Sequence, residues 1–295
     1  MNLFFQIAEK VFDWNELIKV ILILLACFIV PYLLIFLFSS KSKYMKAVKA
    51  YNRGDLDTAK YLLEKIKPTG SMYFYARLFL SQLEMRLGKK DAAIQICREL
   101  IREHPDKYEP YQFISQVYLS IKANDLCLDN IYKALDRNPP RKDKYALYVN
   151  MGTAFDEMKQ YDEAIRSYLK AVEQIDNDHV VFNNIGYAYL MQSKFPEAIT
   201  YFDKSIKLNS KFAFSYNNRG FAYANLGDFE RAFEDFKASL LLDSSNPYLY
   251  KFRGISLYKF GNFTEARTNL EKALQLCPDF NDEISPILTE INKIS

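Results

Sequence analysis

Residues 213–246 read AFSYNNRGFAYANLGDFERAFEDFKASLLLDSSN, and residues 247–280 read PYLYKFRGISLYKFGNFTEARTNLEKALQLCPDF. Set one above the other, they align without a gap: Tyr216 over Tyr250, Gly220 over Gly254, Phe229 over Phe263, Ala232 over Ala266. The same series continue upstream in steps of 34, through Phe182 and Tyr148, Gly186 and Gly152, Phe195 and Tyr161, Ala198 and Ala164. Coincident series at one period mark a repeat array, in which no unit can bury its apolar face without its neighbours. Glycine (9) and proline (10) are scarce among the 295 residues, which favours long helices with short connections. Gly227-Asp228 and Gly261-Asn262 put C-cap chemistry in the middle of a unit, so each unit is two helices. Small residues such as Gly152 and Ala164 let the two backbones approach, and the aromatic residues fill the gaps between pairs.

These residues resemble the tetratricopeptide repeat (TPR) family, whose pattern is an aromatic, Leu-Gly, Tyr, Ala, an aromatic, Ala and Pro. It appears as Tyr216, Gly220, Tyr223, Ala232, Phe236 and Ser239, and again as Tyr250, Gly254, Ala266, Leu270, Ala273 and Pro278. Upstream the frame is sparser: Tyr118, Cys127, Ala134 and Pro139, then Gly88, Ala93 and Pro105, then Gly54, Ala59 and Leu63. The resemblance implies an all-α fold, a right-handed α-solenoid of about seven helix pairs. The repeats are expected at 40–73, 74–107, 108–141, 145–178, 179–212, 213–246 and 247–280, with a capping helix over 281–295. Lys142-Asp143-Lys144, after Pro139-Pro140, are three extra residues and are expected as a loop.

Val20 to Phe38 is a run of 19 residues without a charge. As a helix it spans roughly 28 Å, close to the hydrocarbon thickness of a bilayer. No short basic leader precedes it and no small-residue cleavage site follows, so it is expected to be an uncleaved transmembrane helix over 20–38, not a signal peptide. Residues 1–19 have an amphipathic pattern (Phe4, Ile7, Ala8, Val11, Phe12) that suits an interfacial helix. Lys41, Lys43, Lys46 and Lys49 crowd the far side of the span, which places the repeats in the cytoplasm and the N-terminus outside. The expected protein is thus a single-pass integral membrane protein, held by lipid contact through 20–38. A short exported tail and a composition rich in Lys, Asn, Phe and Tyr point to a bacterial inner membrane.

The charge is uneven. Residues 40–144 carry 21 Lys/Arg against 13 Asp/Glu, and residues 145–295 carry 16 against 20, within a net charge of +3. That balance implies no nucleic-acid partner. Cys27, Cys97, Cys127 and Cys277 have no ligand-like spacing and read as free thiols, and His104 and His179 are far apart. No metal and no cofactor are expected. The phosphate-binding, dinucleotide-binding, nucleophile-elbow and zinc-protease motifs are all missing from the sequence, so no catalytic residue is assigned and an enzyme is not expected.

In TPR proteins the first helix of each pair lines a concave groove, which implies a protein or peptide partner. The position two before each repeat glycine is Asn150, Asn184 and Asn218. An amide both donates and accepts, so this ladder could grip an extended backbone without reading side chains. Asn183, Asn217, Tyr187, Phe214, Phe221, Tyr248 and Lys251 are expected beside it in an aromatic, amide-rich trough exposed in the free protein. Arg219 and Arg253 stand where the family usually has Leu, and are expected to be structural pairs with Asp235 and Asn269, not anion sites. A two-carboxylate chaperone clamp is disfavoured, because its Lys/Asn positions are Val149 and Thr153, then Asn183 and Tyr187. The function expected is a membrane-anchored scaffold. The alternatives are a regulator of an envelope-assembly enzyme, an organelle import receptor, and a subunit that senses a small molecule. Oligomeric state is not read from the sequence.

Overall fold

The computed structural model describes residues 39–68 and 71–294, and among them are fifteen α-helices and no strand. They follow one another as seven hairpins. These are α1 Ser40–Asn52 with α2 Leu56–Glu64, α3 Ser71–Arg86 with α4 Lys90–Glu103, and α5 Glu109–Ser120 with α6 Asn124–Leu135. Next come α7 Arg141–Glu157 with α8 Tyr161–Gln174, α9 His179–Met191 with α10 Phe195–Leu208, and α11 Ala213–Asn225 with α12 Phe229–Leu242. The last are α13 Pro247–Phe260 with α14 Phe263–Leu276, after which a 3-10 turn leads into α15, Asn281–Ile294.

One backbone device makes every hairpin. The first or second residue after the first helix has positive φ in all seven: 83° at Gly54, 78° at Gly88, 83° at Gly227 and 91° at Gly261, but 57° at Lys122, 60° at Lys159 and 61° at Ser193. Lysine and serine there accept a conformation that costs an L-residue about 1 kcal/mol. After Gly54, Gly227 and Gly261 the chain restarts on a capping side chain: Asp55 accepts from Thr58 N, Asp228 from Arg231 N and Asn262 from Glu265 N.

The hairpins close on two further registers. Ala59, Ala93, Cys127, Ala164, Ala198, Ala232 and Ala266 are all fully buried on the second helices. Facing them, the first helices carry Ala47, Ser81, Ser115, Gly152, Gly186, Gly220 and Gly254, each 16 residues before a larger core residue (Leu63, Cys97, Ile131, Tyr168, Phe202, Phe236, Leu270). Where that residue is a ring, a side chain on the glycine would crowd it. A Cβ on Gly152 would stand 2.5 Å from the Tyr168 ring, and one on Gly186 2.7 Å from the Phe202 ring.

The helices form two compact units, dividing between Ile114 and Ser115 within α5. In the first, Tyr44 and Tyr51 pack edge-on to Phe79 over a core that includes Ala47, Leu63, Leu80 and Leu100. Helix α1 begins at Ser40, with Ser39 extended and its hydroxyl accepting from Ser42 N. In the second, α9 touches α11, α11 touches α13 and α13 touches α15, whereas α8, α10, α12 and α14 make no comparable contact with one another. The first helices of this unit therefore lie on the inside of its curve. Helix α15 caps it, burying Ile284 and Ile291.

Lys142-Asp143-Lys144 do not form a loop. They are the first turn of α7, which at 17 residues is longer than the other first helices of its unit. Pro140, held extended just before it, starts the helix there, and Lys144 Nζ donates to Asn138 Oδ1 at 2.7 Å. Among the described residues no helix is long and apolar enough to cross a membrane. The expected span at 20–38, the amphipathic segment 1–19 and Cys27 lie outside the described residues.

Candidate functional site

The inner surface of the second unit is built from α7, α9, α11 and α13, with α15 at its end. Its centre is Tyr187 on α9. Burial pushes the Tyr187 phenol up to about 12, and Tyr248, Tyr161, Asp156 and Glu283 each add to the shift. Asp156 accepts from Tyr168 Oη at 2.8 Å through one oxygen, while its Oδ1 is enclosed without a partner. Burial lifts its carboxyl to about 6, against the pull of the Tyr168 bond.

The expected amides fall into two groups. Asn150 and Asn184 are half-buried, and Asn184 Oδ1 accepts from Asn183 Nδ2 at 3.4 Å. Asn218 is 6 % exposed and is not a free rung, because its Nδ2 donates to Asn183 Oδ1 at 3.1 Å. Asn183, also buried, accepts a second bond from Ser215 Oγ at 3.2 Å, and Ser215 meets Ser205 at 2.7 Å. These groups weld α9, α10 and α11 together. The polar chain fails one period later. Leu249 stands where Ser215 would be, and both polar atoms of Asn217 and the Ser239 hydroxyl are buried with no partner. One period further the register turns ionic: Lys251 Nζ lies 2.7 Å from Glu283 and 4.4 Å from the Phe280 ring centre, itself buried. Asn217, Asn183, Asn218 and Lys251 are therefore interior groups, not the exposed trough residues that the sequence led one to expect.

The aromatic residues divide as well. Phe221 stacks on Phe252 of the next hairpin, with ring centres 4.2 Å apart and planes within 7°, so it packs between repeats. Phe214 and Tyr248 are each 41 % exposed, and Val180, one period before Phe214, is 39 % exposed. These three make an apolar ladder at the start of successive first helices. Asp156, Tyr168 and Glu283 were missed by sequence reasoning. Glu283 was within reach, since it extends the series Ser215, Leu249 one period beyond the last repeat.

Family models for the tetratricopeptide repeat match residues 75–107, 145–178, 179–212, 213–246 and 247–280, more than half of the chain. The chain belongs to the tetratricopeptide repeat family. No curated protein matches it in sequence. Among solved structures, a TPR protein from Parabacteroides merdae is similar over 85 % of this chain and 98 % of its own, with 18 % identity and a TM-score of 0.64. MamA from Desulfovibrio magneticus RS-1 is similar over 59 % of this chain and 96 % of its own, with 19 % identity and a TM-score of 0.54. Another MamA structure covers 55 % of this chain and 94 % of its own, with 19 % identity and a TM-score of 0.52. At such identities the likeness to these TPR structures is one of fold.

Proposed function

We propose that the second unit holds an extended or helical segment of a protein partner against its first helices, and that the chain is a non-enzymatic TPR scaffold. The observation that carries this reading is the ladder Val180, Phe214 and Tyr248: three exposed apolar side chains, one per repeat, on the inner helices. Packed helices lie about 8–10 Å apart, and a partner segment in the polyproline-II form advances about 3.1 Å per residue with about three residues per turn, so every third partner residue meets a rung. Exposed aromatic anchors supply the affinity in such a contact, and the half-buried amide of Asn150 adds a group that can bond the partner's backbone. We propose in addition that residues 20–38 anchor the scaffold in a membrane, with the repeats on the cytoplasmic side. What supports this is the uncharged run and the lysines at 41, 43, 46 and 49.

The test is a pull-down from detergent-solubilised membranes, followed by titration of the co-purified partner against wild type and a Phe214→Ala, Tyr248→Ala double variant. Truncating two exposed anchors is expected to weaken binding about tenfold or more, at about 1 kcal/mol or more each. Thermal melting should hardly change. Wild-type affinity in the double variant would remove the inner surface from consideration. Asn218 is left intact, because its loss would loosen the hairpin contacts instead of reporting on binding.

A further inference from the structure

Arg219 and Arg253 occupy one register, 34 residues apart, yet their surroundings differ. Arg219 is neutralised twice. Its Nε and Nη2 donate to Asp235 Oδ2 and Oδ1 at 2.8 and 2.7 Å, and Nη1 donates to Asp203 Oδ1 at 2.5 Å. One period on, the place of Asp235 is taken by Asn269 and that of Asp203 by Lys237. Arg253 has kept the guanidinium and exchanged both anions, one for a neutral amide and one for a cation. The structural pair expected between Arg253 and Asn269 is not made; the bond that Asn269 makes is from its Nδ2 to the Glu265 carbonyl, at 2.8 Å. The ion-pair partner that Arg253 retains is Glu265, at 3.6 Å, beyond hydrogen-bond range, with more than half of its side chain exposed. The other Glu265 oxygen is already taken by Asn262 Nδ2, at 3.0 Å.

Arg253 borders two open clefts on the side of α13 turned toward α12 and α14. One, of about 650 Å³, also exposes Tyr250, Thr268 and Lys272; the other, of about 410 Å³, exposes Lys237 and Phe233. We propose that this is a binding site for an acidic protein segment, which supplies two carboxylates to Arg253. The place that Asp235 takes at Arg219 is filled here by the buried Asn269, so the carboxylates come from the cleft side, as that of Asp203 does at Nη1 of Arg219. Lys237 and Lys272 line the same two clefts. Three cations outnumber the carboxylates of Glu265 and Glu271 that also line the clefts. Planar carboxylates fit better than phosphate, because the neighbouring repeat satisfies the same guanidinium with two separate ones. The site lies apart from the inner ladder and does not depend on it.

The experiment uses the full-length protein and a fluorescent octapeptide of alternating Asp and Gly, with a Lys/Gly octapeptide as control, followed by anisotropy at low salt. Wild type should bind the acidic peptide only, and Arg253→Gln should weaken it about tenfold or more. Asn269→Asp should weaken it comparably while melting at or above the wild-type temperature, since it restores the internal partner that Arg219 has. A loss of binding with no loss of stability cannot arise from unfolding. Phe214→Ala, Tyr248→Ala should leave this binding unchanged. Equal binding by wild type, Arg253→Gln and Asn269→Asp would overturn the proposal. So would saturable binding of inorganic phosphate by a protein that ignores the acidic peptide.

Discussion

Replacing Asp156 by Asn should make the second unit more stable, and the gain should depend on pH. The carboxyl is lifted by burial from its ordinary 3.8 to about 6, with one oxygen bonded to Tyr168 and the other enclosed without a partner. The folded chain therefore holds this proton more tightly than the unfolded chain does. Stability from the group is full below about pH 4 and is lost between about pH 4 and 6, beyond which both states are ionised and the difference is flat. A shift of about two units is worth up to about 3 kcal/mol, and solvent on the open side of Asp156 reduces that to about 1–3 kcal/mol. Asparagine keeps an acceptor for Tyr168 and carries no charge to desolvate. Urea unfolding of both proteins at about pH 4 and pH 7, followed by circular dichroism, isolates the term as a change in their difference, because other carboxylates titrate alike in both. A difference that is constant between the two pH values, or a variant less stable at pH 7, would refute the reasoning.

Gly186→Ala should lower stability by about 1–2 kcal/mol, because overpacking at about 1–3 kcal/mol outweighs a helix-propensity gain of about 1 kcal/mol. The new methyl would lie 2.7 Å from the Phe202 ring and 3.1 Å from the Ala198 carbonyl oxygen; thermal melts check it, and an unchanged melting temperature would mean that the ring yields freely. For the proposed anchor, a reporter active only in the cytoplasm, fused after Ser295, should be active. Activity of an export-dependent reporter at the same place would reverse the orientation.

The period of 34 carried the fold, because backbone close approach admits few residue types and repeats them audibly in the sequence. It faltered where the constraint is on size alone. Ala47, Ser81 and Ser115 do the work of Gly152 opposite the smaller Leu63, Cys97 and Ile131, and no glycine signals them. The candidate site was less legible. Asn150, Asn184 and Asn218 are identical letters in one register, yet Asn183 bonds both Asn184 and Asn218, and Asn218 is buried where the other two are half-buried. Whether an amide is a rung or a weld depends on the helix facing it. The same holds for Arg219 and Arg253: the sequence pairs Asp235 with the first, but Asp203, from the hairpin before, becomes visible only when the helices are stacked. Lys142–Lys144 misled for another reason. Charged residues after two prolines resemble a loop, and they are equally good material for an exposed first helical turn.

The small-against-large contact of each hairpin joins residues only 16 positions apart, from Ala47 with Leu63 to Gly254 with Leu270. Loops that short close cheaply, and a topology dominated by such contacts has low contact order, so the hairpins can form quickly and independently before they stack. The arrangement also bears on how such a chain lengthens or shortens over time. Excision of one whole period, such as residues 179–212, takes out both members of a pair and brings Asp178 to Ala213 in phase. An excision of 179–195 alone would strand the Phe202 ring without Gly186. The tolerated unit of change is thus the hairpin, and the three residues at 142–144 survive as an addition only because they lie on the free end of a helix, where no pair is put out of step.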